Sequence, residues 1–137
     1  MDPFSITAST LTLATACVKS SALLYKAIEG FRSARTDVQN LRSDVGDLNI
    51  VLQALEKNIQ ESTENFEVLK LILQQCADAC ETFHKAVLVA LGQPDDRLQG
   101  IKAWVRLQYH GNSIESFRKL IGSYKATMTI ALADSNL

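Results

Sequence analysis

Residues 38–59 read VQNLRSDVGDLNIVLQALEKNI, and their apolar residues recur at alternating intervals of three and four. This heptad spacing places an apolar line, here called a seam, along one side of an α-helix that packs on a partner helix. Residues 66–87 repeat the pattern. Because a short polar turn joins the two segments, we expect the two helices to pack directly on each other. The first seam contains Val38, Leu41, Val45, Leu48, Leu52, Leu55 and Ile59, and the second contains Phe66, Leu69, Leu73, Cys76, Cys80, Phe83 and Val87.

Capping signals mark the ends of the helices around these seams. Asp2 and Pro3 suit the start of a first helix that ends near Glu29. Thr36 suits the start of the second helix, which runs to about residue 60, and residue 62 or 63 suits the start of the third, which runs to residue 91.

Beyond the third helix, residues 92–96 read GQPDD and form the clearest break in the chain. A shorter amphipathic helix is predicted over residues 96–109, with Trp104 as its core anchor. The last helix carries a third seam. We therefore predict one all-α domain over residues 1–137, an up-down bundle of four long helices with a short extra helix before the last. The third seam contains Ile114, Phe117, Ile121, Tyr124, Met128 and Ala131.

The net charge of −1 provides no field that would select nucleic acid. The charges are nevertheless uneven, with eleven acidic and five basic residues between 37 and 100, and more basic than acidic residues on either side. Two interpretations stay open. Acidic middle helices could pack beside basic terminal helices, or the terminal helices could present a basic surface to anionic lipid.

The residue pattern contains no catalytic or metal-binding motif. Cys17, Cys76 and Cys80 lie on apolar helical lines, which favours buried free thiols in a reducing, intracellular setting. Cys76, Cys80 and His84 share a spacing of four, but no further Cys or His follows at a matching spacing and His110 is the only other His, so core packing is favoured. We predict no enzymatic activity, no cofactor and no nucleic acid partner.

The first helix has an unusual composition. From Phe4 to Tyr25 its only charged residue is Lys19, and eight residues are Ser or Thr. Two heptad lines of apolar or small residues lie on nearly opposite faces. Such a helix is either central in a protein or in contact with a membrane, so a central bundle helix, a conditionally inserted helix and a dimer contact all stay open. The candidate insertion residues are Phe4, Ile6, Leu11, Leu13, Cys17, Val18, Leu24 and Tyr25.

Three apolar residues lie off the seams of the middle helices, namely Ile50, Val68 and Leu71. Single apolar outliers are normal on protein surfaces. Together these residues could form a second layer against the first helix or a face for self-association.

The opening MDPFSITAS (residues 1–9), the Trp104-Val105-Arg106 segment and the final helix from Ile114 to Leu132 resemble the HeLo-like N-terminal domains of fungal STAND, or NOD-like receptor, proteins. The resemblance covers nearly the whole chain. It implies an all-helical domain of fungal self/non-self recognition and regulated cell death, whose N-terminal helix is released to damage membranes when copies assemble. Some domains with this opening are known only from gene clusters, including those of pigment biosynthesis.

The expected function is therefore a non-enzymatic cell-death or signalling domain that oligomerises and permeabilises membranes through its first helix. The alternative is an oligomerisation or adaptor module of a STAND receptor without membrane activity, and a carrier of small molecules is a more distant possibility. The expected partners are further copies of the chain, anionic membrane lipid, and a STAND receptor in cis or in trans. The expected location is the cytoplasm and, conditionally, the plasma membrane.

Overall fold

The computed structural model describes residues 3–30, 36–62, 66–91 and 113–135. These residues form four α-helices and one short 3-10 turn, and they contain no strand. The all-α prediction is confirmed for this part of the chain. The predicted short helix at 96–109, with Trp104, lies outside the described residues. The helices are α1 (Pro3–Glu29), α2 (Thr36–Glu61), α3 (Lys70–Leu91) and α4 (Ser113–Ser135), with the 3-10 turn at Glu67–Leu69.

Local hydrogen bonds explain where several of these elements begin and end. α1 stops before Gly30, whose N–H donates to the Ala27 carbonyl at 3.0 Å in a tighter turn. Asp37 accepts the Val38 N–H at 3.0 Å in the first turn of α2, where a carboxylate also opposes the positive end of the helix dipole. α3 begins later than predicted, because the Leu69 N–H donates three residues back to Phe66 and forms the 3-10 turn.

The core is built from the seams. All seven residues of the first seam and all seven of the second are buried. In the third seam Ala131 is half-buried and the other five residues are buried. In α2, the 3-10 turn with α3, and α4, the seam thus marks the face that water does not reach, as burial of apolar area requires.

The order in which the helices pack differs from the expectation. α1 packs along both α2 and α3, and α2 also packs along α4, whereas α3 meets α4 at few positions. Among the described residues no Cα atom of α2 lies within 8 Å of a Cα atom of α3. The prediction that these two helices pack directly on each other is therefore wrong. A seam shows that a helix has partners, but it does not select them, and α1 occupies the place between α2 and α3.

Polar contacts show the direction of neighbouring helices. Arg118 Nε of α4 lies 2.6 Å from Asp44 Oδ2 of α2, and Lys125 Nζ lies 4.0 Å from Asp47 Oδ2. Both sequence numbers rise together, so α2 and α4 run parallel. These pairs join an acidic helix to a basic one, although partly exposed pairs of this kind stabilise a fold by only about 0–1 kcal/mol each.

Two helical glycines provide a matched test of this packing. A Cβ atom at Gly122 in α4 would meet nothing within 4 Å, whereas one at Gly46 in α2 would lie 3.2 Å from Tyr25 Cε2 of α1. We expect Gly122→Ala to raise the free energy of unfolding by about 0.5–1 kcal/mol, because alanine is the better helix former. Gly46→Ala should gain less, since the Tyr25 ring must shift. Urea unfolding checks this, and an equal gain at both sites would contradict the close approach of α1 and α2.

Candidate functional site

α1 carries the residues to which the sequence assigns a function, and it has one buried stripe. The stripe follows steps of four and three, and it shares Thr10, Cys17, Leu24 and Ile28 with one of the two apolar lines seen in the sequence. Of the interpretations left open, a central helix packed on all sides is wrong, because the outer face of α1 is exposed. Small and hydroxyl side chains tolerate both environments, so they carried no information about the orientation. The buried residues are Thr10, Ala14, Cys17, Ser21, Leu24 and Ile28, and the exposed ones include Thr12, Thr15, Lys19, Ala22, Leu23 and Lys26.

The candidate insertion residues do not share one face. Cys17 and Leu24 are fully buried. Four others are half-buried against the core, namely Leu11, Leu13, Val18 and Tyr25. Phe4 and Ile6 belong to α1, but their side chains lie outside the described set. Within the described residues, none of the helices combines the length and the apolar character that a membrane crossing needs.

A buried polar contact fixes α1 against α2. Asn49 Nδ2 of α2 donates to the Val18 carbonyl at 3.0 Å and to Ser21 Oγ at 2.8 Å. Ser21 is fully buried and donates its own hydroxyl to the Val18 carbonyl at 3.1 Å. Together with Tyr25 above Gly46, the contact shows that α1 and α2 run antiparallel. Sequence reasoning missed this site, and the only signal was an asparagine beside the seam residue Leu48.

Removing the Asn49 amide tests this contact. Asn49→Ala should lower the free energy of unfolding by about 1–3 kcal/mol, because the buried Ser21 hydroxyl loses its donor and the Val18 carbonyl keeps only one of its two side-chain donors. Gln53→Ala is the control, since Gln53 bonds the same asparagine from an exposed position, and it should change stability by less than about 0.5 kcal/mol. Equal losses in urea unfolding would show that the buried contact does not hold α1.

The three thiols meet at the interface of α1 and α3. Cys17 Sγ donates to the Leu73 carbonyl at 3.0 Å, and Cys17, Cys76 and Cys80 are fully buried and free of disulfides. Hydrogen bonding to Cys17 and Cys80, together with burial, raises the pKa of the Cys76 thiol far above its usual 9.0. A protonated buried thiol is a poor nucleophile and packs as a small apolar group. In the described residues no cluster of His, Cys, Asp and Glu could hold a metal ion.

The raised pKa of Cys76 predicts a pH dependence. Above its usual pKa of 9.0 the unfolded thiol loses its proton while the folded one keeps it. The stability that the thiol contributes is complete below that pH, and it falls by about 1.4 kcal/mol per pH unit above it. Burial also raises the pKa of Tyr124, which adds a further loss above its usual pKa of 10.0.

The measurement compares urea unfolding of the reduced wild type and Cys76→Ala between about pH 8 and pH 10, the range around the unfolded thiol pKa. The variant should show the shallower decline in the free energy of unfolding. Identical slopes would mean that the thiol titrates alike in the folded and unfolded states.

α1 provides most of the contacts that hold α3 to the other described helices. α3 has no close contact with α2 and few with α4, among them the stacked rings of Phe83 and Phe117, whose centroids lie 4.1 Å apart. Most of what attaches α3 to the pair of α2 and α4 is therefore α1. If α1 left, both α2 and α3 would expose their seams, so its departure would not leave an intact three-helix body.

A groove of about 510 Å³ lies between α1 and α2, where Gly46 lacks a side chain. Tyr25 and Ile50 provide apolar surface, and Lys26 and Asp47 provide charges of opposite sign. The groove is open to solvent, unlike the enclosed apolar cavity that a carrier of small molecules requires.

A second line of heptad-spaced positions, here called the outer stripe, runs along the outer side of the 3-10 turn and α3. All its residues are exposed, and they include the three most exposed large apolar side chains of the described part, Val68 (87%), Val89 (77%) and Leu71 (69%). Sequence reasoning noted Val68 and Leu71 but not the continuous line. The outer stripe consists of Val68, Leu71, Gln75, Asp78, Thr82, Lys85 and Val89.

The described residues thus define an all-helical bundle with a buried thiol cluster and an exposed stripe that is apolar at both ends and polar in the middle. A family model described as "Pigment biosynthesis cluster protein PigL N-terminal" matches residues 1–137, and the chain belongs to this family. The match is consistent with a fungal N-terminal helical domain. No curated protein and no solved structure shows a significant match.

Proposed function

We propose that the chain is a non-enzymatic helical module that joins copies of itself, and that α1 stays in the bundle while it does so. The observation that carries the proposal is the outer stripe, on which Val68, Leu71 and Val89 expose 69–87% of their surface. Apolar side chains spaced along one side of a helix provide contacts for a second helix, and here they lie at the two ends of the stripe with polar residues between them. No catalytic role is proposed, because the thiols, which are the strongest potential nucleophiles, are buried and the pKa of Cys76 is raised.

The position of α1 supports an oligomerisation or adaptor role over membrane attack. Release of α1 would break the Asn49 contacts with Val18 and Ser21 and the Cys17 contact with Leu73. It would also expose fully buried Leu24 and Ile28 to water, at a cost of about 1.5–3 kcal/mol for each side chain. Because α1 joins α3 to the rest, release would compromise the whole fold.

Membrane attack by α1 is the second candidate, and one observation favours it. Four of the six buried stripe residues, namely Thr10, Ala14, Cys17 and Ser21, are small or polar, so this part of α1 buries less apolar area per residue than the seam of α2. The resemblance to HeLo-like domains implies the same role, with anionic lipid and a STAND receptor as partners. The up-down order of the helices and the short helix at 96–109, which the loops and the residue pattern predict, stay predictions.

Sedimentation equilibrium tests the proposed function directly. The wild-type chain should form dimers or higher oligomers in the micromolar range, which suits an interface of modest area. A chain that stays monomeric at millimolar concentration would contradict the proposal.

Labelling of Cys17 separates the two candidates. In the Cys76→Ala, Cys80→Ala variant, a maleimide reagent reports exposure of Cys17, which is fully buried in the bundle. We expect Cys17 to stay protected in the oligomer and on phosphatidylserine vesicles, with no dye leakage. Labelling of Cys17 together with leakage would replace the proposed function by membrane attack. A circular dichroism spectrum of the variant shows that it is folded before labelling.

A further inference from the structure

The three most exposed large apolar side chains of the described residues lie on a single line that runs from the 3-10 turn along α3. Val68 and Leu71 occupy one end of the outer stripe and Val89 the other. The residues between them are polar and exposed, namely Gln75, Asp78, Thr82 and Lys85. A heptad line that faces solvent is the pattern by which one helix packs along another.

We infer that two copies of the chain associate through their outer stripes, with the two α3 helices antiparallel about a two-fold axis near residue 80. The inference rests on the proposed self-association and specifies its surface. The two-fold axis places the amino-terminal end of one outer stripe against the carboxy-terminal end of the partner's outer stripe. Leu71 then faces Val89, Gln75 faces Lys85, and Asp78 faces Thr82, each pair occurring twice because a two-fold contact is self-complementary.

Charge decides the direction of the helices. In the antiparallel arrangement Asp78 of one copy lies about one turn from Lys85 of the other, so opposite charges approach each other twice. A parallel arrangement in register would place Asp78 against Asp78 and Lys85 against Lys85, which is unfavourable. Lys85 already lies 3.7 Å from Glu81 in its own helix, but both side chains are well exposed, and such a pair is weak enough to rearrange.

The dimensions indicate a modest interface. The segment from Leu71 to Val89 covers about 27 Å of helix at 1.5 Å per residue. One helix pair with polar central layers buries less area than the roughly 1,600 Å² of a standard interface. The expected contact is therefore reversible, and its polar centre selects orientation at some expense of affinity.

Substitutions on the outer stripe test the surface by sedimentation equilibrium. Leu71→Lys should weaken dimerisation at least about tenfold, because a charge then replaces one apolar partner in each of two symmetric layers. Ile130→Lys is the matched control, since Ile130 is 64% exposed on α4, and it should leave dimerisation unchanged. Both sites face solvent, so the variants should keep the stability of the wild type in urea.

A charge exchange tests the direction. Asp78→Lys alone should weaken the dimer, because like charges then approach across the interface, and Lys85→Asp alone should do the same. The double variant D78K/K85D should recover the affinity of the wild type, because the attraction is restored in the reverse sense. No recovery would contradict the antiparallel pairing.

Cross-linking gives an independent geometric readout. Oxidised glutathione accepts the electrons as two introduced thiols join, and the native thiols, being fully buried, should not compete. A mixture of Leu71→Cys and Val89→Cys chains should yield the mixed cross-linked dimer in preference to either homodimer. Preferential cross-linking within each variant would indicate a parallel pair and overturn the inference.

The results also separate this inference from the proposed function. A wild-type chain that is monomeric at every concentration contradicts both. A wild-type dimer that Leu71→Lys does not weaken, and that forms no mixed cross-link, leaves self-association standing and shows that it uses another surface.

Discussion

Leu24→Ala is expected to lower the free energy of unfolding by about 2–5 kcal/mol, whereas Leu23→Ala should change it by less than about 0.5 kcal/mol. The two residues are neighbours of the same type in the same helix. Leu24 is fully buried in the stripe of α1, whereas Leu23 is 52% exposed on the outer side. Truncation of Leu24 therefore removes apolar contacts and leaves a cavity between α1 and its two neighbours, and truncation of Leu23 leaves none.

Urea unfolding monitored by circular dichroism at several wavelengths measures both variants. Because the substitution is the same, differences in helix propensity cancel, and the comparison reports orientation alone. Similar losses at the two positions would mean that α1 is buried on both sides. That result would restore the central helix, one of the interpretations that the sequence left open.

Phe83→Ala should lower the free energy of unfolding by about 3–5 kcal/mol. The Phe83 ring stacks on Phe117 with an angle of 3° between the ring planes, and both residues are nearly fully buried. α3 and α4 meet at few other places, so no neighbouring contact can replace the stack. The loss removes the main attachment of α3 that does not pass through α1.

A double-mutant cycle with Phe117→Ala isolates the stack from the burial of each ring. We expect a coupling of about 0.5–1.5 kcal/mol, the usual range for an aromatic pair. A coupling of zero would show that the rings do not stack on each other in solution. The expected sign of the coupling is that the double variant loses less stability than the sum of the two single losses.

These two results bear on the proposed function. If truncation of Leu24 and truncation of Phe83 both cause large losses of stability, α3 is attached from two sides. α1 supplies the greater share of the contacts of α3. A module of this kind presents surfaces without unfolding, which suits self-association through the outer stripe. Membership of the PigL N-terminal family is compatible with this reading and leaves the partner to experiment.

Part of the site was readable from the sequence. Val68 and Leu71 stood out because they are apolar and lie off the second seam, and the structure places both at the surface. Asn49 did not stand out, because a polar residue beside a seam is ordinary in any helix. Its role depends on the Val18 carbonyl and Ser21, which lie 31 and 28 residues away in the chain.

The residue spacing alone was enough to predict the long helices and the inner faces of α2, α3 and α4. The spacing of Val38 to Ile59 and of Phe66 to Val87 sets which side of each helix is apolar, because side chains three and four residues apart lie on the same side. The structure buries every residue of both seams.

The three-dimensional packing was needed to show which helices are neighbours and which side of α1 faces inward. Seams of equal spacing are interchangeable as partners, so periodicity did not show that α1 separates α2 from α3. Along α1 the alanine, serine and threonine side chains differ little in their preference for water or core. The orientation of α1 follows from its hydrogen bonds with the neighbouring helices. Asn49 of α2 donates to the Val18 carbonyl, and the Leu73 carbonyl of α3 accepts from the Cys17 thiol.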